Sequence, residues 1–174
     1  MRSDPITAAV VALALNALAL ASAPAAWIVA GSAPGDYEFN ANNLWIAAKP
    51  GATPYGFGTL MQKVDAGSYR GSRWRLSARM RTSEAHHAQM WMRVDGEDRT
   101  VLGFDNMSSR PVSGTTDWTA YDIVLDVPAD SAAISFGFFL NGSGAVWAED
   151  FQLVKVDDSV PVTGKPVEWV VKPP

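Results

Sequence analysis

Seven runs in which apolar and polar residues alternate with a period of two follow one another along this chain, at 58–64, 74–81, 88–94, 101–106, 118–127, 133–141 and 145–156. Weaker runs of the same kind lie near Tyr37 and at 44–47. Turn-forming residues separate them: Pro50-Gly51, Gly71-Ser72, Asp95-Gly96, Val112-Ser113-Gly114 and Asn141-Gly142-Ser143-Gly144. Beyond the first 25 residues nothing has the 3.6-residue spacing of a long amphipathic helix. Many short strands with no helices between them cannot build parallel crossover units, so the pattern predicts an all-β domain, an antiparallel sandwich or barrel.

Size and charge narrow the possibilities. With 174 residues, 48% of them hydrophobic, the chain has material for one domain with a sizeable core. A formal net charge of −4 supplies no general attraction to nucleic acid or anionic lipid, and nucleic acid is not expected as a partner. The absence of cysteine removes disulfides, thiolate metal sites and cysteine nucleophiles, and leaves the redox compartment open. Residues 6–23 are apolar and almost uncharged, follow Arg2, and lead into Ala23-Pro24-Ala25. This is the pattern of a signal peptide, a short apolar leader helix over 1–25, and it predicts a periplasmic or secreted protein. A membrane anchor is the alternative, and the membrane is a partner only if the leader stays uncleaved. The expected organisation is leader 1–25, β domain 26–158 and a Pro-rich tail or edge segment 159–174.

The alternation assigns faces. In 89–96 (QMWMRVDG), Met90, Met92 and Val94 share one side, and Trp91, Arg93 and Asp95 the other. An indole between a guanidinium and a carboxylate is the chemistry of a binding surface rather than of a solvated strand face. In 133–141 (AISFGFFLN), Ile134, Phe136, Phe138 and Leu140 read as core, while Ser135, Gly137, Phe139 and Asn141 face outward. If these two strands are neighbours, Trp91, Arg93, Asp95, Phe139 and Asn141 gather on one platform, with Gly137 leaving bare backbone for a ligand to settle on. Such a platform suits a sugar, whose C–H face stacks on a ring while its hydroxyls meet Arg, Asp and Asn. The row Arg73, Arg75, Arg79 and Arg81 alternates with Trp74, Leu76, Ala78 and Met80, and Asp122 and Asp126 occupy the wet face of 118–127. These rows are expected to pair across a sheet as surface ion pairs. Asp105, Asn106 and Arg110 place a carboxylate, an amide and a guanidinium in one strand-to-loop segment; at least one of Asp105 and Asn106 is expected to cap the turn, the other facing the platform.

Residues 58–162 carry a set of motifs: Gln62, Tyr69-Arg70-Gly71, Trp91-Met92-Arg93-Val94-Asp95, Phe104-Asp105-Asn106-Met107, Arg110-Pro111, Gly114-Thr115-Thr116-Asp117-Trp118, Leu125-Asp126-Val127-Pro128, Gly142-Ser143-Gly144 and Trp147. In these the chain resembles an uncharacterised bacterial β-sandwich family, similar to the galactose-binding-like and carbohydrate-binding-module jelly rolls, found alone or appended to other domains, including regulators. The resemblance implies a two-sheet jelly roll with a polar cleft, and adds Gln62 and Trp147 to the candidate ligand-binding residues. It does not extend over 26–55. Trp118 is expected to plug one end of the sandwich.

Related jelly rolls hold a structural Ca²⁺ between an N-terminal acidic segment and the last strand; Asp36, Glu38 and Asp150 are the residues that imitate this here, although an oxygen cage needs six or more ligands. No other cofactor is expected. The adjacent His86 and His87 are expected to point oppositely in an extended segment and so not to chelate together. The leading functional reading is an exported module that binds a carbohydrate or similar polyhydroxylated ligand. A small glycan-active enzyme using Asp95 and Asp105 as a carboxylate pair is one alternative, and a structural envelope interaction module is another.

Overall fold

The computed structural model describes residues 26–164, so the leader expected over 1–25 and the end of the tail, 165–174, lie outside the described residues. Among the described residues nine strands form an antiparallel β-sandwich: β1 (Ile28–Gly31), β2 (Tyr37–Asn40), β3 (Trp45–Ala48), β4 (Phe57–Asp65), β5 (Ser72–Gly96), β6 (Val101–Asp105), β7 (Val112–Val127), β8 (Ser131–Asn141) and β9 (Ala145–Val156). One layer runs β1-β4-β8-β5-β6, the other β7-β5-β9-β3-β2.

Strand β5 belongs to both layers. The sequence reads as two strands here, 74–81 and 88–94, but 82–87 contains neither Gly nor Pro, and the chain stays hydrogen-bonded across the gap. Its first half pairs with β7 and β9, and its second half with β8 and β6. At the joint the register with β7 shifts around Thr82, Ala85 and Ala88, and Glu84 takes a left-handed φ of 48°. These are the marks of bulges, which bend a strand and let it pass from one sheet to the other. Gly144 (φ 90°) packs on this joint so closely that a Cβ there would lie 2.3 Å from the Glu84 carbonyl oxygen. Val112-Ser113-Gly114, read as a turn, is the start of β7, with Gly114 at φ 76° inside the bulged ladder.

The core lies between the layers. Leu76, Ala78 and Met80 from one half of β5 and Met90, Met92 and Val94 from the other are buried, together with Leu60, Ile123, Ile134, Phe138 and Leu140. Each large side chain so buried stabilises the fold by about 1.5–3 kcal/mol. Trp27 closes one edge, its ring 5.0 Å from Phe151 and edge-on to Phe136 and Phe138.

The outer face of the second layer carries the arginine row, with partners that only partly follow the aspartate row. Arg73 forks onto Asp126 (2.7 and 3.1 Å), but Arg79 reaches Glu149 on β9 (2.7 Å). Arg81 lies over Trp147 at 4.3 Å and Trp118 at 5.4 Å. Trp118 therefore does not plug an end of the sandwich; it lies on the sheet surface as a stacking partner for guanidinium groups. Val124, which lies between Asp122 and Asp126 in the alternation, is buried because the chain after β9 returns along β7, where Thr163 N–H donates to the Val124 carbonyl (2.9 Å) and Val124 N–H to the Thr163 hydroxyl (2.9 Å).

Candidate functional site

Strands β4, β8, β5 and β6 stand side by side, and their outward positions meet in register. Trp91 on β5 faces Gly137 on β8, which faces Met61 on β4; Gln89 faces Phe139, which faces Thr59; His87 faces Asn141, which faces Phe57; and Arg93 faces Phe104 on β6. Together these side chains line a cleft of about 770 Å³, its ends formed by the β1 turn (Gly31, Ser32) and the loop after β6 (Asn106, Ser108, Pro111).

Trp91 is the floor. Gly137 presents no side chain at its level, so the indole lies across β8 and donates Nε1–H to the Thr59 hydroxyl on β4 (3.0 Å). That hydroxyl in turn donates to the Phe138 carbonyl (2.8 Å). The ring is thus tied to β4 through its Nε1–H and, half-buried, lines the cleft. Gly137, expected to leave bare backbone for a ligand, is not among the residues that line the cleft. Phe57 and Phe139, 5.2 Å apart, form an aromatic wall beside it.

Polar groups border the rings. Arg93 Nε is held by Asp95 (2.9–3.1 Å), two residues along the same face, while its side chain remains 44% exposed. Gln89 Nε2 donates to the Asn106 carbonyl (2.6 Å), and Asn106 Oδ1 accepts from Ser108 N–H (3.1 Å), which fixes the loop edge of the cleft. His86 and His87 do not point oppositely: the irregular joint of β5 sets their rings 4.2 Å apart, with His87 on the cleft.

Of the residues the sequence nominates, Trp91, Arg93, Asn106, Phe139 and Asn141 come together here. The others go elsewhere, for reasons the register supplies. Asp95 lines a neighbouring recess beyond Arg93 with Lys63, Glu97 and Arg99, and acts on the cleft only through Arg93. Asp105 sits opposite Met92, on the inward side of β6, and is buried. There it takes both nitrogens of the Arg110 fork (2.7 and 3.2 Å) and the Met107 N–H (2.8 Å). Burial alone would push its carboxyl up, but the Arg110 guanidinium, the Thr163 hydroxyl and the Met107 N–H hold it below the usual carboxylate range. Asp95 and Asp105 therefore occupy opposite sides of their sheet and form no carboxylate pair, and Asp105 and Arg110 are a structural unit that fixes the turn after β6. Gln62 sits opposite Phe136 on the inward side, and Trp147 is on the other layer. Asp36, Glu38 and Asp150 are not brought into one site: among the described residues no group of three or more His, Asp or Glu could hold a metal ion.

Period two counted outward from the nominated residues finds much of what was missed. Gln89 and His87 lie two and four positions before Trp91, and Phe57, Thr59 and Met61 alternate along β4. No pattern within one strand tells that β4 and β6 flank these two.

A β-sandwich with an aromatic-floored cleft on one sheet face is the class that the fold and site define. No family model matches the chain. Over 108 residues it is 52% identical to an uncharacterized HTH-type transcriptional regulator, YbfP, of Bacillus subtilis strain 168; the match takes in 62% of this chain, which spans 37% of that protein's length. Among solved structures the chain is similar to a CBM4 protein (15% identity, 74% of this chain and 78% of that one, TM-score 0.49). It is also similar to a family 16 carbohydrate-binding module (14% identity, 71% and 92%, TM-score 0.46).

Proposed function

We propose that this domain is a binding module whose cleft holds a carbohydrate or similar polyhydroxylated ligand over Trp91. The observation that carries the reading is the indole of Trp91, tied by its Nε1–H to Thr59, which lines one cleft with Phe57 and Phe139 and with Arg93, Asn106, Asn141 and His87. A pyranose presents a C–H face to such a floor and in-plane hydroxyls to such a border. The separation of Asp95 from Asp105 supports binding without turnover, because among the described residues no carboxylate lines the cleft to do acid and base work. The 52% identity over 108 residues to a protein named as a transcriptional regulator favours a binding role over a hydrolytic one. The exposed large apolar side chains Ile28, Val29, Tyr55, Val154 and Val162 lie on several different elements, which favours the cleft over a broad protein-docking patch.

A glycan array probed with residues 26–174, with reducing-end release followed in parallel, tests this reading. Binding without release is expected, and Trp91→Ala weakens it by about 1–2 kcal/mol, the scale of one aromatic stacking contact. Release of reducing ends, or binding indifferent to Trp91→Ala, contradicts it. We further propose that the leader is removed on export, so that mature protein begins at Ala25 or Ala26; N-terminal sequencing that finds intact Met1 in the membrane fraction contradicts this.

A further inference from the structure

The cleft is chemically one-sided. Among the described residues no Asp or Glu lines it, in a chain that carries 18 of them. Carboxylates are the acceptor-only side chains, the groups suited to receive hydroxyl protons from a neutral sugar. In their place the cleft offers groups able to donate, the amides of Asn106 and Asn141 and the His87 ring, which can also accept, and the donor-only Arg93. Asp95 engages Arg93 from behind, through Nε, at 2.9–3.1 Å. Neither terminal nitrogen of Arg93 has a hydrogen-bond partner among the described residues, and the side chain is 44% exposed, so the forked end of the guanidinium is open to a ligand. The recess beyond it sets three cations, Lys63, Arg93 and Arg99, against two carboxylates, Asp95 and Glu97. A fork of two parallel N–H groups matches the two oxygens of a carboxylate, and a guanidinium already oriented by a partner loses little freedom on binding it.

Resting on the reading of the cleft as a saccharide site, we propose that it selects an acidic saccharide, a uronic-acid oligomer, whose carboxylate seats on the terminal nitrogens of Arg93 while a sugar ring lies over Trp91. Asp95 is then a positioning residue, holding the fork toward the cleft.

Calorimetric titration with oligogalacturonides and oligoglucuronides, each against its methyl ester, tests the proposal, since esterification removes the charge and keeps the ring. The acids should bind about tenfold or more tighter than their esters, as a charge-assisted contact implies. Arg93→Gln should bring that ratio close to one, and Arg75→Ser, on the other layer, should preserve it. Raising salt should narrow the ratio in the wild type. Esters that bind as tightly as acids, or neutral oligosaccharides that bind through Trp91 while no uronate does, would overturn the selectivity and leave the cleft reading standing. A ratio that persists in Arg93→Gln would remove Arg93 from the recognition. Failure of every saccharide, acidic or neutral, would sink the cleft reading and this proposal together.

Discussion

Asp95 and Asp105 show how much a single position in the alternation decides. Both are largely buried acids paired with an arginine, yet one turns a guanidinium toward the cleft and the other locks a turn in the interior. The alternation in 89–96 was legible without the structure, and with it the outward Trp91 and the inward Met90, Met92 and Val94. Asp105 was not, because its side depends on the register of β6 against β5, which no local pattern fixes. Its depressed pKa makes it a testable contributor to stability. A carboxylate whose folded pKa lies below its unfolded value of about 3.9 stabilises the protein above that pH, and the contribution is lost as pH falls through the folded value. Asp105→Asn should therefore cost about 1.5–3 kcal/mol at pH 7, the range for a hydrogen bond to a charged group. In urea titrations that cost should shrink below about pH 4, the unfolded pKa. An equal cost at pH 7 and pH 3 would show that shape, not charge, is what Asp105 supplies.

At the scale of elements, β5 is where the sequence and the fold part most. Strands and most turns announce themselves through alternation and through Gly and Pro, but 82–87 has no such punctuation, and a bulge built on left-handed Glu84 leaves no residue signature. That one strand serves both layers could not be read locally, and neither could the stacked His86 and His87 that result. The β8–β5 pair, by contrast, brings together outward residues that alternation had already sorted, so Trp91, Arg93, Phe139 and Asn141 were visible once the two strands were taken as neighbours, while the β4 wall was not. Gly137 is the element's tightest point. A Cβ there would lie 2.1 Å from the Leu60 carbonyl oxygen and 2.8 Å from the Met61 Cα, both backbone atoms that cannot step aside alone. Gly137→Ala should lower unfolding stability by about 1–3 kcal/mol through overpacking and displace the indole that crosses β8. A denaturation midpoint unchanged from wild type would mean that β4 shifts freely and that the floor of the cleft is soft.

For the whole molecule, two layers share one long strand and one core, and the two outer faces have taken different chemistry. One is a lattice of ion pairs and guanidinium–indole stacks in which Arg73, Arg79 and Arg81 each have a partner; the other is a cleft of rings with donors left open. That contrast is the physical basis for placing function on the β4–β8–β5–β6 face. It is tested most directly by amide and indole NMR shifts on titrating residues 26–174 with the saccharide that binds best. The account predicts a contiguous set of perturbed signals at Thr59, Gln89, Gly137, Phe139 and Asn141 together with the Trp91 indole N–H. Perturbations confined to the Arg81, Trp118 and Trp147 face, or to the loops at the ends of the sandwich, would contradict it.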